Sequence, residues 1–143
     1  MQLIILHGVV SHSEWLTPIA SRLSASGIEV ICPDRRGAGL SNDARGDAPD
    51  PDSLLDDVAA ISQHFSAARL PMHLAGFCWG ASYAIHAVNR MPDVFSSLIL
   101  IAPSLFPARD IARKVVVTGP SAEASEVPIV PLDRFTSGPA YGE

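Results

Sequence analysis

A chain of 143 residues has the length of one domain. Apolar residues make up 48% and charged residues 17%, the balance of a globular protein and not of a disordered one. The net charge of −5 argues against nucleic acid as a partner, and Arg35-Arg36 and Arg113-Lys114 are too sparse to form a basic groove.

In chain order, Gln2 to Leu6 is a short apolar run that stops at His7-Gly8 and reads as a strand. With Met1 it is too short for a signal peptide and lacks a basic leader, and no window approaches the roughly 20 apolar residues of a membrane helix, so a cytoplasmic location is expected. Ser13 to Ser26 has Trp15, Leu16, Ile19, Ala20 and Leu23 at helical spacing, with Ser13 as the expected cap and Gly27 as the stop. Ile28 to Cys32 is a second strand, closed by Pro33-Asp34. A loop rich in Gly, Asp and Pro runs from Arg35 to Asp52 and leads into a helix over Ser53 to Ala68, with Leu54, Leu55, Val58, Ile61 and Phe65 on one side. Met72 to Phe77 is a third strand, Trp79 to Arg90 a helix, and Ser97 to Ala102 a fourth strand. Short apolar runs alternating with amphipathic helices indicate an α/β fold on a doubly wound, mostly parallel sheet. Residues 1–105 form the core of this reading. Residues 106–143 read as the start of a cap or as a loop-rich tail, with a short strand over Val115-Val116-Val117. Cys32 and Cys78 read as free thiols, and neither a metal nor a cofactor is expected.

The chemistry concentrates at Gly76-Phe77-Cys78-Trp79-Gly80, which has the form G-x-S-x-G with cysteine in place of serine. A nucleophile on a sharp turn between strand and helix takes a strained backbone. Its neighbours two residues away must then be small enough to pass close to other backbone, as Gly76 and Gly80 are. The helix N-terminus favours an anion, and thiolate is the reactive form of cysteine. Two further segments accompany the elbow, each placed after an apolar run. His7-Gly8-Val9 follows the first strand, and Asp34-Arg35-Arg36-Gly37-Ala38-Gly39-Leu40-Ser41 follows the second. Gly37 and Gly39 permit tight turns, and Asp34, Arg36 and Ser41 can tie the loop with hydrogen bonds.

Over about residues 2 to 105, these segments together resemble the α/β-hydrolase superfamily. The resemblance implies that Cys78 is the nucleophile and that the amides of Val9 and Trp79 form the oxyanion hole. It also implies a mostly structural role for the D-x-R-G-x-G-x-S loop. The four strands would correspond to strands three to six of the eight-stranded fold, in the spatial order second, first, third, fourth. Ligands would then bind at the switch point between the first and third strands. In this fold the acid and the histidine follow later strands, and neither is found here. His86 is two turns along its helix, His64 is on a surface helix and His73 is inside a strand. His12 is a candidate for lining the pocket, and Asp110 and Asp133 have no specific role. A second polypeptide, supplying the remaining strands, the acid and the histidine, is therefore expected as a partner.

The leading reading is an acyl-transfer enzyme, a hydrolase, thioesterase or acyltransferase. It would form a thioester on Cys78 from a small acyl ester or thioester, free or carrier-bound. The competing reading is a non-catalytic α/β-hydrolase-like binding or scaffold protein with an inert Cys78. A Ser→Cys replacement in an ordinary serine hydrolase is a third.

Overall fold

The computed structural model describes residues 1–103. The tail over 106–143, including Val115-Val116-Val117, Asp110 and Asp133, lies outside them. Strands β1 (Gln2–Leu6), β2 (Glu29–Ile31), β3 (Met72–Phe77) and β4 (Ser97–Ile101) alternate with helices α1 (Thr17–Ala25), α2 (Pro51–Phe65) and α3 (Trp79–Arg90). All pairings are parallel and the order is β2-β1-β3-β4, the order expected from the sequence. Gln2 lies opposite both Glu29 and Met72, and His73 lies opposite Ser97.

Alternate residues of the central strands feed two cores, as period-two geometry requires. Ile4, Leu6, Met72 and Leu74 pack with Leu54 and Val58 of α2 and with Tyr83, Ala84 and Ala87 of α3. Leu3, Ile5 and Ala75 face the other way, towards Leu16 and Leu23. All five residues of β1 are buried because both faces are covered. In β4, Ile99 is 43% exposed, and the edge away from β3 pairs with no strand among the described residues.

Local signals explain the helix ends. α2 begins two residues earlier than its apolar pattern suggested. Asp50 accepts the Ser53 N–H at 2.7 Å, and Pro51 fills the first turn, where its missing N–H costs nothing. The expected Ser13 cap is not formed. Ser13 opens a 3₁₀ turn (Ser13–Leu16) ahead of α1, and its own N–H donates to Asp34 Oδ1 at 2.7 Å. The carboxylate across the loop thus takes over the capping work. Gly27 ends the helix as expected: its φ is +82°, its N–H donates to Ser24 O, and the N–H of Ile28 donates to Leu23 O.

Leu74 has no exposed surface and sits at the centre of the larger core. Leu74→Ala is expected to cost about 2–5 kcal/mol, read as a lower urea midpoint at unchanged slope.

Candidate active site

β3 runs into α3 through a single residue, Cys78, with φ 55° and ψ −119°. A positive φ is unusual for a residue with a Cβ and is strained. The conformation is held at both ends of the residue. The N–H of Cys78 donates to Ile101 O at the end of β4 (3.0 Å), and its carbonyl accepts the N–H of Ala81 (3.0 Å).

The flanking glycines act through close contact. A Cβ on Gly76 would collide with the carbonyl of Gly80 and with Ala81 Cα in the first turn of α3, and one on Gly80 would collide with the carbonyls of Leu6 and His7 at the end of β1. Side chains at either position would push α3 off the sheet. Gly8 completes the approach: a Cβ there would stand 3.4 Å from Cys78 Cβ. The loop after β1 therefore borders the elbow at Gly8, one residue before Val9, and Trp79 follows Cys78 in the chain. Trp79 opens α3, so its N–H has no acceptor within the helix. Among the described residues, the Val9 N–H has no backbone acceptor.

His7 ties this loop to the next. It is buried, its Nδ1–H donates to Gly8 O at 2.8 Å, and its Nε2 accepts the N–H of Arg35 at 3.0 Å. Acceptance at Nε2 requires the neutral ring. Burial, and after it the nearby Arg35 charge, holds its pKa below the usual histidine value against the opposing Gly8 bond. Asp34 accepts from the amides of Ser13 and Leu40, each at 2.7 Å. Burial alone would raise its pKa, but these amides more than offset that and hold it below the usual carboxylate value. Gly39 presses against this carboxylate with φ +54°, where a Cβ would overlap it. Arg36 forms a bidentate pair with Asp57 of α2, both bonds at 2.6 Å. Gly37 N–H donates to Ser41 Oγ, which donates to Asp43. Asp34, Arg36 and Ser41 thus tie the loop as expected from the sequence.

The histidines fall as the sequence suggested. His73 Nδ1 is 2.8 Å from Ser97 Oγ, His64 stacks edge-on against Phe65, and His86 is exposed. His12 is half-buried and meets the Trp15 ring edge-on at 6.0 Å. Among the described residues, no hydrogen bond joins Cys78 to a histidine or a carboxylate. A small cavity lies behind His7, lined by residues including Asp34, Val58 and Tyr83, and it does not include Cys78. Cys32 is a free thiol like Cys78, and burial raises its pKa. Arg35 is the residue that sequence reasoning passed over, as half of a sparse basic pair. Its Nη2 donates to Val9 O at 3.0 Å, and its guanidinium lies 4.8 Å from the centre of the Trp79 ring.

Residues 1–127 match the family model described as serine aminopeptidase, S33. The chain belongs to this family of α/β-hydrolases. Among its relatives, the chain is 30% identical over 108 residues to a monoglyceride lipase homolog of monkeypox virus, covering 69% of this chain and 37% of that one. It is similar in structure to an N-formylmaleamic acid deformylase from Pseudomonas putida, with 32% identity and a TM-score of 0.60 over 71% of this chain and 38% of that one. A thioesterase domain from the curacin biosynthetic pathway shares the fold at 23% identity and a TM-score of 0.64, over 71% of this chain and 37% of that one. The chain spans between 11% and 37% of the length of the curated relatives it matches. The family's name refers to serine, and this chain carries cysteine at the elbow.

Two predictions follow from this geometry. In an unobstructed helix, Gly→Ala stabilises by up to about 1 kcal/mol. For Gly80→Ala the collision with backbone at the end of β1 reverses the sign, and a net loss of at least about 1–3 kcal/mol is expected in urea unfolding. The shifts at His7 and Asp34 also give stability two acid limbs. Below about pH 6.5 the unfolded chain binds a proton at His7 that the folded one resists, so stability falls with pH. The Asp34 contribution is present above about pH 3.9 and is lost as pH falls through its lower folded value. Unfolding free energies measured from pH 8 to pH 3 should show both limbs, with the first flattened in His7→Asn and the second in Asp34→Ala.

Proposed function

We propose that this chain carries the nucleophile and oxyanion hole of an acyl-transfer hydrolase, with Cys78 forming a thioester. The observation that carries the reading is the positive-φ turn of Cys78 at the first turn of α3, packed against Gly8 of the neighbouring loop. The thiolate adds to the carbonyl carbon of a small ester or thioester, free or carrier-bound. The carbonyl π electrons move onto oxygen, where the amides of Val9 and Trp79 receive the charge. Collapse of this adduct expels the alcohol or thiol, which takes up a proton, and leaves Cys78 S-acylated. Water or another nucleophile then releases the acyl group and restores the thiol.

The ring of His7 takes no part in proton transfer in this scheme, because both its nitrogens are already engaged. The histidine base and its acid belong to structure outside the described residues. The far edge of β4 is the place where further strands, from a second polypeptide, would pair. The lipase, deformylase and thioesterase relatives support carbonyl chemistry as the reaction class. A non-catalytic scaffold is the reading that remains if the thiol proves inert.

The test is intact-mass analysis of the full-length protein after exposure to a panel of short-chain aryl esters and acyl thioesters. One acyl group is expected on Cys78, and none in Cys78→Ala. Equal labelling of the two proteins, or no labelling of either, overturns the nucleophile assignment.

A further inference from the structure

The loop after β2 has more anchors than its own fold requires. Asp34 holds the amides of Ser13 and Leu40, Arg36 pairs with Asp57, and Ser41 closes the turn. Arg35 contributes to this network through its backbone, its N–H donating to His7 and its carbonyl accepting the Ala38 N–H. Its side chain leaves the loop and bridges two other elements. Nη2 donates to the carbonyl of Val9, while the face of the guanidinium covers the Trp79 ring at 4.8 Å. No carboxylate among the described residues lies within ion-pair distance of Arg35.

Trp79 is fixed from the other side as well. Its ring packs on Tyr83 at 5.6 Å, and the Tyr83 hydroxyl donates to the carbonyl of Leu54 in α2. The stack Arg35–Trp79–Tyr83 is thereby tied to the core at one end and to Val9 at the other. Val9 is exposed, on a loop held at its start by the His7 bonds to Gly8 O and the Arg35 N–H, at its end by the Trp15 N–H on His12 O, and between them by the 3.4 Å contacts of Ser11 with Gly8 O. Among the described residues, it is the Arg35 side chain that bonds the Val9 carbonyl to the body of the protein.

We propose that Arg35 is the positioning residue of the oxyanion hole, holding Val9 and Trp79 at a fixed separation on either side of Cys78. The assignment rests on the nucleophile reading above. Arg35 touches neither Cys78 nor the reacting carbonyl in this role. It keeps two amides in register, and donors that act in a transition state must be held before the charge develops.

Two reactions of the same sulfur separate this role from a general structural one. Acylation by p-nitrophenyl acetate passes through an oxyanion: the C–S bond forms, the C–O bond breaks, p-nitrophenolate leaves with the electron pair, and the thiol proton goes to solvent. Alkylation by iodoacetamide displaces iodide at a saturated carbon and develops no oxyanion. Arg35→Met keeps the length and packing of the stem. In the full-length protein it is expected to slow acylation of Cys78 about ten-fold or more while alkylation stays within about two-fold of wild type. Arg35→Lys keeps the charge but not the planar face, and should fall between the two. Unchanged acylation in Arg35→Met overturns the assignment, and so does a parallel fall in both reactions, which would mark a displaced sulfur or a lost fold. A wild-type protein that is alkylated at Cys78 but never acylated there overturns the nucleophile reading instead, and the Arg35 role with it.

Discussion

The constraint on which the rest of the structure depends is the closeness of the first turn of α3 to the ends of β1 and β3. Gly80 lies against the carbonyls of Leu6 and His7, and Gly76 against the carbonyl of Gly80. At these separations a helix can follow β3 with no intervening loop, and the chain reverses within one residue. That residue absorbs the whole change of direction, so Cys78 has a positive φ. The strain is tolerated because its neighbours over-determine it: β4 holds the Cys78 amide, the helix holds its carbonyl, and Gly8 leaves room for its Cβ. A larger residue at Gly76 or Gly80 would collide with backbone and relax the turn.

Closeness also dictates how the loops above the sheet are built. The carboxyl ends of β1 and β2 carry loops that have no strand ladder to satisfy their backbone groups, so side chains satisfy them instead. His7 is buried at this junction in the one protonation state that lets it donate to Gly8 and accept from Arg35. Asp34 gathers two amides from opposite sides, one in its own loop and one at the turn before α1. Because each of these groups joins segments distant in sequence, the loop after β1 is fixed by the loop after β2. The elbow is bordered by a surface with a definite shape, as catalysis by positioned amides demands.

How much of this was legible in the sequence depended on the range of the interaction. β1, β3 and α3 were readable to the residue because apolar runs end at glycines whose function is local. The parallel order β2-β1-β3-β4 followed from three motifs, each placed at a strand end. What stayed hidden was contact across the loops. Ser13 looks like a helix cap in isolation, and nothing nearby in sequence signals that Asp34, 21 positions later, would take its N–H. Pro51 marks the start of α2 for a reader who weighs its missing N–H, but the apolar pattern alone begins later, at Leu54. Arg35 has no local signal at all, because its partners, Val9 and Trp79, lie 26 residues before it on one side and 44 after it on the other. β4 shows the same limit: an apolar strand announces that something covers it, but not which segment does.

Cysteine at this turn changes what the surrounding frame must provide. A serine hydroxyl in a strained elbow is almost wholly protonated at neutral pH and does little without a base at hydrogen-bond distance. A thiol of ordinary acidity is a few per cent thiolate at pH 7 and is strongly nucleophilic in that form. In the proposed scheme, a thiol at a helix N-terminus can carry out the first half of acyl transfer, the attack, with less help from a histidine than a serine needs. Release of the acyl group is the half that still needs one, because water must be deprotonated as it attacks. The absence of a bonded histidine beside Cys78 among the described residues therefore bears unequally on the two steps. In the proposed scheme acylation draws on the elbow, Gly8, Val9, Trp79 and the Arg35 bridge, whereas deacylation draws on groups outside the described residues.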